Sequence, residues 1–100
     1  MTVIAVTESQ KKIVLSILTK YFPSDEWFVF GSRATSKGLK PFSDLDIAVQ
    51  GSGALDAQLI LQALEEFSSS DWPFKVDLVD LRTISDEFLN KISPDLRPLS

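Results

Sequence analysis

The sequence predicts an α/β layer protein, and three observations carry that prediction. Segments of helical apolar spacing alternate with short strands rich in β-branched and aromatic residues. Gly and Ser signals punctuate them at Gly31, at Gly38, from Gln50 to Ala54 and from Ser68 to Asp71. The 100 residues are 44% hydrophobic and 24% charged, the balance of an ordinary soluble globule. That length predicts one domain over residues 1–100, with one core and no separate substrate-binding domain.

The elements follow in order. Thr7-Glu8-Ser9-Gln10 matches a capping box, and Ile13, Val14, Ile17, Leu18 and Tyr21 then recur at helical spacing. This helix ends before Pro23. Glu26-Trp27-Phe28-Val29-Phe30 predicts a buried strand, apolar on both faces, that stops at Gly31. Arg33 to Lys37 predicts a short helix that Gly38 closes. Lys40-Pro41-Phe42 leads back to a strand over Ser43 to Val49. Leu55, Leu59, Ala63, Leu64 and Phe67 predict a second amphipathic helix. Trp72-Pro73 enters a strand over Lys75 to Leu81. Ser85-Asp86-Glu87 predicts a helix cap with Phe88, Leu89 and Ile92 facing the core. The tail holds Pro94 and Pro98 and allows a short edge strand at most.

Composition excludes much chemistry. With no Cys and no His, the chain has no disulfide, thiol nucleophile, imidazole base or ordinary zinc site. Carboxylates remain as the strong metal ligands. The formal charge of −4 makes direct nucleic-acid binding an unfavourable expectation. Absence of Cys fits a cytoplasmic location. No apolar run approaches membrane-spanning length, so no membrane role is expected.

The candidate site lies in two stretches, Gly31-Ser32-Arg33-Ala34 and Ser43-Asp44-Leu45-Asp46. Side chains at i and i+2 of a strand share a face. Asp44 and Asp46 therefore project together, away from Leu45, Ile47 and Val49. Paired carboxylates repel unless a cation lies between them, and their oxygens suit hard ions such as Mg²⁺. Gly31 allows close backbone approach, Ser32 offers a hydroxyl and an N–H, and Arg33 a charged fork; such a turn suits phosphate. Asp77 is a third carboxylate. It is costly inside so apolar a strand unless paired or bound to metal. Asp80 has the opposite parity, and is expected to be solvated or to cap a turn. Lys37 and Lys40 are expected to be ordinary surface lysines. Singly, Gly-Ser is a turn and Asp-x-Asp a solvated face; their order and the third carboxylate make the pattern specific.

Together these residues resemble the signature of the DNA polymerase β-like nucleotidyltransferase superfamily, in its minimal prokaryotic form. The resemblance runs from about Ile13 to the C-terminus. The stretch between Gly31 and Asp44 is slightly longer than the family pattern, with Ser36 standing near where a glycine is usual. The resemblance implies a small mixed β-sheet with helices packed mainly on one face, and the site at the other end of the sheet. It implies Asp44, Asp46 and Asp77 as catalytic residues and ligands of Mg²⁺, two ions about 3.5–4 Å apart. It implies Gly31 and Ser32, with Arg33 as a weaker candidate, as holding the phosphates of ATP or another nucleoside triphosphate. The expected function is transfer of a nucleoside monophosphate, AMP from ATP, to a hydroxyl. The expected acceptor is a tyrosine of a helical HEPN-type partner, with this chain as the antitoxin of a toxin–antitoxin pair. The alternatives are a non-catalytic binding antitoxin or subunit, and an enzyme acting on a small hydroxylated molecule.

Overall fold

A computed structural model of the chain describes residues 6–35, 43–51, 55–70 and 75–99. Gly38 as a helix stop, Lys37, Lys40, the lead-in at Pro41-Phe42, the turn past Gly51 and the entry at Trp72-Pro73 lie outside the described residues.

The first helix, α1, spans Glu8–Tyr21. Its capping box forms as the sequence requires. Gln10 N–H donates to Thr7 Oγ1 at 3.1 Å, and Thr7 N–H donates to Gln10 Oε1 at 2.9 Å. Such a cap is worth about 1 kcal/mol. Val14, Ile17 and Leu18 are its buried stripe. Strand β1 follows at Glu26–Phe30, then the single-turn helix α2 at Ser32–Thr35 and strand β2 at Leu45–Gln50. Helix α3 spans Ala57–Ser69. Its cap is Asp56, whose side chain accepts from Gln58 N–H at 2.8 Å, so Leu55 precedes the helix rather than opening it. Strand β3 is Val76–Asp80, helix α4 is Asp86–Ile92 behind the Ser85 cap, and β4 is Arg97–Pro98 after one 3-10 turn.

The sheet order is β3-β2-β1-β4. β1 runs antiparallel to β2 and β4, while β2 and β3 run parallel with α3 as their crossover. The sheet is therefore mixed. Registers align the strands in rows. Val29, Ile47 and Leu78 form one row; Phe28, Ala48 and Val79 form the next and point to the opposite face.

That alternation splits the apolar residues into two clusters. On one face Val14, Ile17, Leu18, Ala63 and Phe67 of α1 and α3 pack with Val29, Leu45, Ile47 and Val49. Each fully buried aliphatic side chain contributes about 1.5–3 kcal/mol relative to exposure. On the other face Phe28, Phe30, Ala48, Val79 and Leu81 meet Phe88 and Ile92 of α4. Among the described residues the two long helices thus share one face, and α4 alone packs on the other. Its Phe88 ring meets Phe30 edge-on at 6.2 Å, a favoured aromatic geometry.

Asp80 departs from the sequence expectation in part. It is only 5% exposed, not solvated. Its role as a turn cap is present: Oδ1 accepts from Arg82 N–H at 2.9 Å, and Oδ2 accepts from Leu55 N–H at 2.8 Å. A carboxylate can be buried there because both oxygens receive a donor. Among the described residues no helix is long and apolar enough to cross a membrane.

Candidate active site

The site lies on the α4 face, at the end of the sheet where β1 stops. The register pairs Phe30 with Asp46 across β1 and β2, and Asp46 with Asp77 across β2 and β3. Directly paired residues share a face. The two aspartates therefore stand side by side. Neither is neighbour to the other in sequence; the parallel pairing brings them together.

Asp44 stands two residues before Asp46, just outside β2 and exposed. Leu45 N–H donates to Lys75 carbonyl at 2.9 Å, which extends the pairing back toward it. Asp46 is pushed up to about 6, from an ordinary 3.8, by burial first, then by the charges of Asp77 and Asp44. Lys75 pulls the other way. Its Nζ lies 3.8 Å from Asp77 Oδ1.

Gly31 completes the close-packed part. Its φ is +73°, the left-handed region that glycine adopts without penalty. A Cβ there would fall 2.5 Å from Asp46 Oδ2, inside contact distance. Any other residue would collide with the carboxylate. The Gly31 carbonyl accepts from Ala34 and Thr35 N–H at 3.0 and 3.1 Å, so the chain turns straight into α2. Ser32 is the first residue of that turn, where an N–H has no partner within the helix.

Arg33, the weaker phosphate candidate of the sequence, holds the backbone in this structure. It is 7% exposed, and its Nε and Nη2 donate to the Ser43 carbonyl at 3.2 and 3.0 Å. The guanidinium braces the chain one residue before Asp44. The Ser43 carbonyl receives both donors.

The structure thus gathers Gly31, Asp46 and Asp77, sets Asp44 at the rim, places Ser32 beside them, and turns Arg33 to bracing. Lys75 was missed as a site residue. Its signal was present: it stands two before Asp77 and so shares its face. A cleft of about 330 Å³ lined by Trp27, Phe28 and Leu99 lies toward the start of β1, away from the carboxylates.

Asp46 and Asp77, side by side, have the oxygen-donor chemistry that a hard divalent cation takes. Among the described residues no group of three or more acidic side chains is placed to hold a metal ion. A closed cage is not required for Mg²⁺, which keeps waters and takes one or two carboxylates plus substrate phosphates. Burial first, then the charges of Asp77 and Asp44, raise Asp46, and a cation there would offset that cost.

Comparison with known proteins gives the chain its family. Residues 11–96 match the family described as polymerase beta, nucleotidyltransferase, and the chain belongs to that family. It is 41% identical over 76 residues to a probable protein adenylyltransferase, MntA, of Haemophilus influenzae, covering 76% of this chain and 66% of the relative. The match therefore spans just under two thirds of that relative's length. Among solved structures, a toxin–antitoxin with AMP-PNP superposes with a TM-score of 0.74 at 25% identity, over 90% of this chain and 72% of that one. A mutant MntA–HpeT toxin–antitoxin gives 0.72 at 27%, over 95% and 72%. The mixed sheet with its helices is the nucleotidyltransferase fold.

Proposed function

We propose that this chain is a metal-dependent nucleotidyltransferase that moves AMP from ATP to a hydroxyl of a helical, HEPN-type protein, as the antitoxin of a toxin–antitoxin pair. One observation carries the reading. The Gly31 turn lies against Asp46, and Asp46 stands beside Asp77, so a phosphate cradle and a carboxylate pair adjoin. The relative described as an adenylyltransferase and the toxin–antitoxin with AMP-PNP support the nucleotide and the partner.

In this reading Gly31 and Ser32 hold the β- and γ-phosphates through the backbone of the turn. Asp44 and Asp46 present carboxylate oxygens for metal on the α-phosphate side. Asp77 holds the acceptor side and takes the proton of the attacking hydroxyl. The new bond joins the acceptor oxygen to the α-phosphorus, and the bond to the leaving pyrophosphate breaks. Bound Mg²⁺ supplies charge neutralisation for both the attacking and leaving oxygens. Arg33 acts indirectly, by fixing the chain that carries Asp44. A tyrosine is the acceptor the proposal names.

The test uses the chain with the helical protein that co-purifies from its native host. Mg²⁺ and ATP labelled at the α or the γ position are added. The α label should enter the partner, with release of pyrophosphate. Entry of the γ label would indicate a kinase and overturn the proposal. Entry of neither, with a tight complex formed, would leave a binding antitoxin. Entry of the α label into a small hydroxylated molecule alone would move the acceptor.

A further inference from the structure

Among the described residues, Lys75 is a charged residue at the carboxylates that the proposed chemistry leaves unused. Its backbone is fixed while its side chain is loose. The Leu45 N–H donates to its carbonyl at 2.9 Å, which seats Lys75 alongside the Asp44–Leu45 step of the neighbouring strand. Parity puts its side chain on the face of Asp77. The ammonium reaches Asp77 Oδ1 at 3.8 Å while the side chain stays 70% exposed. Asp77 is paired with Asp46 in the register, so the ammonium stands at one end of the carboxylate pair. An ion pair so long and exposed is weak and easily exchanged. One amine thus stands where the charge of a metal ion is needed, on a flexible stem with no rigid geometry.

We propose that Lys75 is a positioning residue that serves as the exchangeable counter-ion of this site. With no metal bound, its ammonium partly neutralises Asp77 and Asp46. A divalent ion arriving alone must displace it. A metal–nucleotide complex brings its own anionic triphosphate, and the released ammonium moves onto a phosphate oxygen. Lys75 thereby opposes loading of the bare ion and favours loading of the ion with nucleotide. The inference rests on the metal reading of Asp44, Asp46 and Asp77.

The experiment measures binding, with no turnover required. Mn²⁺ alone, and Mn²⁺ with the α,β-methylene analogue of ATP, are titrated into wild type, Lys75→Met and Lys75→Arg by calorimetry and by the spin resonance of free Mn²⁺. Lys75→Met should bind bare Mn²⁺ more tightly and the Mn²⁺–analogue complex more weakly, each by about two- to fivefold, the range an exposed ion pair allows. Lys75→Arg should resemble wild type in both. The opposed shifts are the signature, since general damage to the site weakens both. Weaker or unchanged binding of bare Mn²⁺ in Lys75→Met overturns the proposal. If wild type binds no Mn²⁺ with or without the analogue, the metal reading itself fails, and the role of Lys75 falls with it.

Discussion

The bare Cα of Gly31 lies against the carboxylate of Asp46, so closely that a Cβ would fall 2.5 Å from Oδ2. One residue thereby meets two demands, a left-handed backbone and room for the Asp46 carboxylate. Gly31→Ala would strain the backbone by about 1–2 kcal/mol. It would also displace the Asp46 carboxylate from its present place. The expected result is a lower melting temperature and loss of Mg²⁺-nucleotide binding. Retention of wild-type nucleotide affinity in a folded Gly31→Ala protein would show that the contact does not position Asp46.

The raised value of Asp46 gives a pH dependence with a definite sign. Burial and the neighbouring Asp77 and Asp44 charges lift it from 3.8 to about 6. The folded chain then holds a proton that the unfolded chain has released. This contribution to stability is complete below about pH 3.8 and is lost as pH rises through about 6. Metal-free wild type should therefore lose stability, relative to Asp46→Asn, between those values. Mg²⁺ should reverse the trend above pH 6 for wild type alone, because the ion needs the charged carboxylate. Parallel melts of both proteins across pH 4 to 8, with and without Mg²⁺, supply the check. Identical pH profiles would mean that Asp46 is not a strained acid.

Much of this was legible in the sequence because local rules and tertiary structure agree. Thr7 and Gln10 form their box, Ser85 caps α4, and alternation along β1 to β3 sorts the strands. Strand parity alone put Asp77 on the face of Val79 and Asp80 on the other. What parity does not contain is register. Only the parallel pairing of β2 with β3 sets Asp46 against Asp77. Nor does it reveal long-range donors. The Leu55 N–H that allows Asp80 to be buried comes from 25 positions earlier. Likewise the target of Arg33 is a backbone carbonyl, which has no sequence signal.

Arg33 has the geometry of a brace, and its substitution should separate position from chemistry. Two of its nitrogens donate to the Ser43 carbonyl from a buried side chain. Hydrogen bonds involving a charged group contribute about 1.5–3 kcal/mol. Arg33→Met should lose stability of that order and weaken Mg²⁺-nucleotide binding, because Asp44 loses its support. Lysine cannot reproduce the fork, so Arg33→Lys should recover only part. A stable Arg33→Met protein with normal metal affinity but weak nucleotide binding would instead favour direct phosphate contact.

Asp77 and Asp80 lie three residues apart and should fail in opposite ways. Asp77 is half-exposed, beside Asp46 and within reach of Lys75. Asp77→Asn should fold normally and keep nucleotide binding, yet lower transfer by about 10²–10⁴-fold, the usual contribution of a positioned proton acceptor. Asp80 is buried on the α3 face, with one oxygen on Leu55 N–H and the other on Arg82 N–H. In Asp80→Asn an amide NH₂ must face one of those donors, so one hydrogen bond becomes a donor–donor conflict. The expected cost is about 1–3 kcal/mol of stability, with transfer per folded molecule nearly unchanged. Melting curves and an α-labelled transfer assay on both variants distinguish the two. A stable, inactive Asp80→Asn beside a destabilised, active Asp77→Asn would exchange their roles and move the third carboxylate of the site to the other face of β3.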